Sequence, residues 1–156
     1  MSCLLGWTML AIAAVDARHY IIPDALSLPA IPAGLLASGT IIDAAAGGLV
    51  NVDNVIGAIT GGASLYVLRA VYFYLRRREG LGFGDVKLGA AAGAWTGWQN
   101  LSVVFLLAST LALGFIVAQT ILRRAPLSNT AKVPFGTFLA AAIWLIWMLD
   151  AYVRGS

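Results

Sequence analysis

The chain has 156 residues, of which 60% are hydrophobic and only 11% charged, with a formal net charge of +3. Soluble domains average roughly 45–50% apolar and 25% charged residues; one core of this size cannot hide the excess, and the bilayer is its natural solvent. A single cysteine leaves no intrachain disulfide, no Cys/His cluster has zinc-site spacing, and no aromatic-interleaved basic surface suits nucleic acid.

Six apolar segments follow one another: Met1–Ile22, Leu26–Ile42, Val55–Leu75, Val86–Trp98, Leu101–Leu122 and Val133–Tyr152. Most approach the ~20 residues that span a bilayer; Val86–Trp98 is short, which implies a bent or protein-shielded helix or a thinned membrane. The reading is an all-α, polytopic membrane protein with about six transmembrane helices, in a single domain over residues 1–156. No basic residue precedes Arg18, so the first segment is not read as a secretory signal. Asp43–Asn54 and Arg123–Lys132 read as loops, with Asp43 and Asp53 as solvated loop residues.

If the segments alternate across the membrane, Arg18, Arg76, Arg77, Arg78, Lys87, Arg123, Arg124 and Lys132 share one side. The other side receives Asp43, Asp53, Gln99, Asn100, Asp150 and Arg154. The positive-inside rule makes the first side cytoplasmic. Small residues recur every four positions in Ala30/Gly34/Ser38, Gly57/Gly61 and Gly89/Gly93/Gly97, faces that let helix backbones approach closely.

Two acids stand out. Asp16 follows an unbroken apolar run and, if the helix continues through Ile22, lies ~9 Å inside it. A carboxylate there is expensive unless it faces a cavity, a partner or water. Pro23 then stops or bends the helix, and Asp24 is placed to cap the next. Asp85 closes the run Gly80-Leu81-Gly82-Phe83-Gly84-Asp85, whose alternate glycines free the backbone, and it stands at the N-terminus of the fourth helix, which favours an ionised carboxylate. No Gly-Lys-Ser/Thr follows, so the glycines do not read as a phosphate loop. Two converging carboxylates share a proton: the ionised one takes a proton from water, and the protonated one polarises the carbonyl under attack and helps the amine leave. Intramembrane acids also mark proton and ion pathways, and the spacing alone leaves peptidase and transporter equally open. A non-catalytic scaffold is a third reading, with little need for an acid on a glycine loop. Arg69, near the end of its segment, reads as a snorkelling side chain.

Three blocks resemble the type IV prepilin peptidases, membrane aspartic peptidases with a Gly-x-Gly-Asp motif. They are Val15-Asp16 through Pro29, with Ile22-Pro23-Asp24 inside it; Gly82-Phe83-Gly84-Asp85-Val86-Lys87-Leu88, continued by Gly93-Ala94-Trp95; and Val133-Pro134-Phe135-Gly136. Thr137 stands where that family often has a second proline. The resemblance implies Asp16 and Asp85 as the catalytic pair, with Asp24, Gly82, Gly84 and Lys87 supporting them. It implies that Pro134, Phe135 and Gly136 shape a substrate groove, with no metal or other cofactor. The implied substrates are type IV prepilins or pseudopilins, cleaved after a leader glycine at the cytoplasmic face of the bacterial inner membrane. Long members carry a Cys-x-x-Cys region and are credited with N-methylation. This sequence has one cysteine, Cys3, so cleavage without methylation is expected, from a short-form member or a truncated chain.

Overall fold

The structure is a computed structural model that describes residues 2–19, 24–38, 52–77, 82–123 and 134–155. These form five helices: α1 (Ser2–His19), α2 (Asp24–Ala37), α3 (Val52–Arg76), α4 (Phe83–Arg123) and α5 (Phe135–Gly155). No strand occurs among the described residues. The expected continuation of the first helix to Ile22, its stop at Pro23, and most of the two expected loops lie outside them.

Local chemistry explains the ends. Asp53 in the first turn of α3 and Arg76 in its last complement the helix dipole. Arg77 then takes a left-handed conformation (φ 52°), and its N–H reaches the Phe73 carbonyl at 2.9 Å, closing the helix with a single-residue cap. Asp53 and Asn54 are thus helical rather than loop residues. Asn54 is buried, and its Nδ2 donates to the Ala94 carbonyl at 2.8 Å, a bond between α3 and α4 that makes a polar residue tolerable there.

α3 and α4 approach most closely, through the small-residue faces. A Cβ placed on Gly57 would lie 2.6 Å from the Gly93 carbonyl oxygen, and one on Gly89 2.9 Å from that of Gly61. At such separation main-chain atoms touch main-chain atoms, and dispersion contacts hold the pair without any hydrophobic drive from lipid. α2 meets α4 through Trp95: the indole sits where Gly34 leaves room, donates through Nε1 to the Ala30 carbonyl at 2.8 Å, and makes an edge-on contact with Trp147 of α5 (centroids 6.0 Å, 81°). α1 runs antiparallel to α5, with Gly6 against Trp144 and Asp16 against Thr137. Leu5, Ile12, Leu88, Val104, Leu139 and Ile143 fill the centre, fully buried.

The fourth and fifth segments, expected as separate helices Val86–Trp98 and Leu101–Leu122, are joined in α4 and differ in direction at Gly97 (φ 73°, ψ 170°). Gly89 before this break and Leu101 after it both lie against Gly61. The expected packing stripe Gly89/Gly93/Gly97 thus runs through to Gly97, since a Cβ on Gly57 would lie 2.9 Å from the Gly97 carbonyl carbon, and Gly97 makes the change of direction as well. That backbone region is essentially restricted to glycine, and a Cβ on Gly97 would meet nothing within 4 Å. Gly97→Ala is expected to lower stability by about 1–3 kcal/mol through backbone strain alone, read as an earlier thermal transition in detergent.

Two of the helices, Val52–Arg76 and the Phe83–Leu122 stretch of α4, are long and apolar enough to cross a membrane. Their outward faces carry Tyr66, Val67, Leu68, Phe73, Leu106, Leu113 and Ile121, all exposed. An apolar surface of that extent marks a contact with membrane or protein.

Candidate active site

Each of the two acids is set at a helix N-terminus. Asp85 is in the first turn of α4, where backbone N–H groups have no partner within the helix. Its Oδ2 turns back to accept a hydrogen bond from the Gly82 N–H at 3.2 Å, tying the carboxyl to the glycine segment in front of the helix. Its Oδ1 is buried and receives no hydrogen bond from the described residues, as is also true of Ser27 Oγ on the buried face of α2. Native structures leave few such atoms, and at a reactive carboxyl an open oxygen is one that can carry or exchange a proton.

Asp16 lies in the last turn of α1, 5% exposed, and serves a different helix: its Oδ2 accepts from the backbone N–H of Thr137 at 2.8 Å and from the Thr137 hydroxyl at 3.2 Å. Thr137 is in the first turn of α5, so Asp16 caps that helix from across the bundle. Asp16 and Asp85 are both buried and lie close enough for their carboxyls to interact electrostatically, with little screening. The fold thus brings together two carboxyls that α2 and α3 separate in the chain.

The other expected site residues fall as follows. Gly82 supplies the N–H to Asp85, and Gly84 is half-buried in the first turn of α4. Lys87 places its amine 5.5 Å from the Phe83 ring centroid, and Arg69 places its guanidinium 5.1 Å from the same ring. The Arg69 side chain therefore lies along protein at the site's edge, its charge over an aromatic face. Asp24 opens α2, and its side chain lies outside the described residues. Pro134 and Phe135 enter α5, and the buried Gly136 precedes Thr137, so this block adjoins Asp16. Thr137 itself was singled out in the sequence only as a departure from a proline. A proline there has neither the N–H nor the hydroxyl that hold Asp16.

A cavity of about 290 Å³ lies at the opposite end of the bundle. Asp53, Asn54, Thr96, Gln99, Asn100 and Asp150 line it, and neither Asp16 nor Asp85 does. Asp53 accepts a hydrogen bond from Trp98 Nε1 at 3.2 Å, so α3 and α4 also meet there through polar contacts.

The model of the type IV leader peptidase family matches residues 3–117, which include both aspartates. The chain belongs to this family. Among its relatives, the prepilin leader peptidase/N-methyltransferase of Aeromonas salmonicida is 40% identical over 147 residues, covering 92% of this chain and 48% of the relative. Proteins of the same description from Pseudomonas aeruginosa and Escherichia coli are 37% and 36% identical, covering 92% and 85% of this chain and 48% and 55% of their own lengths. The chain thus spans about half the length of the curated relatives it matches. No solved structure matches it at a significant level.

Proposed function

We propose that the chain is an aspartic endopeptidase of the bacterial inner membrane that cleaves the leader peptide from type IV prepilins or pseudopilins. The observation that carries this reading is the convergence of Asp16 and Asp85, from α1 and α4, at one end of a bundle whose outer faces are apolar. Family membership and the names of the relatives support it. In this reading α1, α2, α3, both halves of α4, and α5 give about six membrane crossings. Arg69, Arg76, Arg77 and Lys87 stand at the end that holds Asp85; Asp53, Gln99, Asn100 and Asp150 stand at the other. By the positive-inside rule the aspartate end then faces the cytoplasm, where the basic leader of a prepilin lies ahead of its hydrophobic helix. Pro134, Phe135 and Gly136 border the path of such a substrate, and Asp24 and Lys87 support the pair.

A proton- or ion-coupled carrier, which the buried acids alone would also suit, is not favoured. The two acids gather at one end rather than marking a route between ends, and the polar cavity opposite includes neither. Purified chain reconstituted in lipid and given an intact prepilin is expected to release a leader ending in glycine, identified by mass spectrometry. A prepilin that stays whole under conditions where a full-length relative cleaves it would count against the proposal.

A further inference from the structure

The two carboxyls are not equivalent. Asp16 Oδ2 receives a short hydrogen bond from the Thr137 N–H (2.8 Å) and a second from the Thr137 hydroxyl (3.2 Å), while Asp85 Oδ1 is buried and receives none. We propose that Thr137 is a positioning residue that sets the polarity of the pair, holding Asp16 as the proton acceptor and leaving Asp85 as the proton donor. This rests on the peptidase reading above and adds to it a division of labour and a residue that acts through Asp16.

An ionised carboxylate only accepts hydrogen bonds, and donors aimed at it are stronger than those between neutral groups. Two donors converging on one oxygen of Asp16 therefore suit the charged partner. Asp85 is different: one oxygen is occupied by the Gly82 N–H, and the other, free of donors, is where an O–H sits without competition. The Thr137 hydroxyl has one proton and a second acceptor in reach, the Ala13 carbonyl at 3.3 Å. It can donate to Asp16 while that group is ionised. Once Asp16 has taken a proton, the hydroxyl can turn to Ala13 and is not left unpaired.

The steps then balance. Water oxygen bonds to the scissile carbonyl carbon, a water proton passes to Asp16, and the proton of Asp85 passes to the carbonyl oxygen, giving a gem-diol. The C–N bond breaks as the amine nitrogen takes the proton from Asp16, and Asp85 recovers a proton from a diol hydroxyl. Both carboxyls end as they began.

Thr137→Val keeps the backbone N–H and the branched shape but removes the hydroxyl; Thr137→Ser returns it. Loss of a hydrogen bond to a charged group predicts a kcat lower by roughly 10- to 100-fold in Thr137→Val, with KM little changed, and a Thr137→Ser variant within about 3-fold of wild type. A second readout does not need catalysis. The infrared difference between the chain and its Asp16→Asn variant isolates the Asp16 carboxylate band, and this band is expected to shift in the Thr137→Val background. An unchanged kcat in Thr137→Val, or a Thr137→Ser variant as slow as Thr137→Val, would overturn the proposal. If the wild-type chain cleaves no prepilin at all, the peptidase reading falls by itself. The infrared band then decides the remainder: a shift supports the hold of Thr137 on Asp16, and an unmoved band refutes it.

Discussion

Asp85→Asn and Asp16→Asn are each expected to lower the rate of prepilin cleavage by about 10³-fold or more, with the folded protein retained. The substitution is nearly isosteric, so the supporting hydrogen bonds survive. An asparagine at 85 still offers an oxygen to the Gly82 N–H, and one at 16 still offers an oxygen to the Thr137 N–H. What disappears is the proton traffic. An amide has no acidic proton to give to a carbonyl oxygen and is too weak a base to take one from water. Asparagine at 85 replaces one neutral group by another, and asparagine at 16 removes a buried charge whose desolvation cost offsets the weaker attraction between the side chain and the helix N-terminus. Activity and stability therefore separate in these variants. Initial rates from the appearance of the mature pilin, measured beside a thermal transition, test this directly. A variant of either residue that cleaves at the wild-type rate would remove that residue from the reaction.

The sequence made some of this architecture legible and hid the rest, for reasons that lie in particular residues. The apolar segments are visible because hydrophobic composition persists along each of them, and each of the six overlaps a described helix or one half of α4. Asp16 stands out as an acid in an apolar run, and Asp85 as an acid closing a glycine series. The facing of Gly57 and Gly61 against Gly89 and Gly93 follows from four-residue spacing. Gly97 hides a second role for the same reason: it continues that spacing against Gly57, and the helix break it also makes is invisible until φ is known. Asp53 and Asn54 have the composition of a loop. Only the Ala94 carbonyl and the Trp98 indole, far along the chain, explain their place in a helix. Thr137 is the clearest case, because nothing near it in sequence signals a bond to Asp16, and the bond exists only once α1 and α5 lie side by side.

Neither end of the bundle is chemically neutral, and the difference orders the molecule. The end with Asp16 and Asp85 depends on helix N-termini: α4 presents its own to Asp85 through Gly82, and α5 presents its own to Asp16 through Thr137. Both carboxyls are thus fixed by backbone groups of helices that pack on one another. Moving α4 relative to its neighbours moves Asp85 relative to Asp16, so packing remote from the acids bears on the distance between them.

Gly93→Ala tests that link and is expected to be far more damaging than its single methyl group suggests. A Cβ at this position would fall on the carbonyl group of Gly57, well inside van der Waals distance, and would also come within 2.7 Å of the Ala58 nitrogen. The obstacle is main chain, which has no rotamer to escape into, so α3 and α4 must separate. Overpacking of this kind costs about 1–3 kcal/mol, and here the separation also weakens dispersion between the two helices and strains the Asn54–Ala94 hydrogen bond one residue away. A destabilisation near the top of that range, about 3 kcal/mol, is expected from equilibrium unfolding in detergent. Gly114→Ala is the control: it lies on the second half of α4, a Cβ there would meet nothing within 4 Å, and replacing a mid-helix glycine is expected to stabilise by about 0.5–1 kcal/mol. The two substitutions share a helix and a chemistry and differ only in what faces them. Cleavage should follow the same order. Asp85 is two turns from Gly93 on the same half of α4, and a displacement of even ~1 Å at a reacting group can cost about 10²-fold in rate. Equal stability in the two variants would show that α3 and α4 do not meet through their backbones. A destabilised Gly93→Ala that still cleaves at full rate, once corrected for the folded fraction, would show that the position of Asp85 does not depend on this packing.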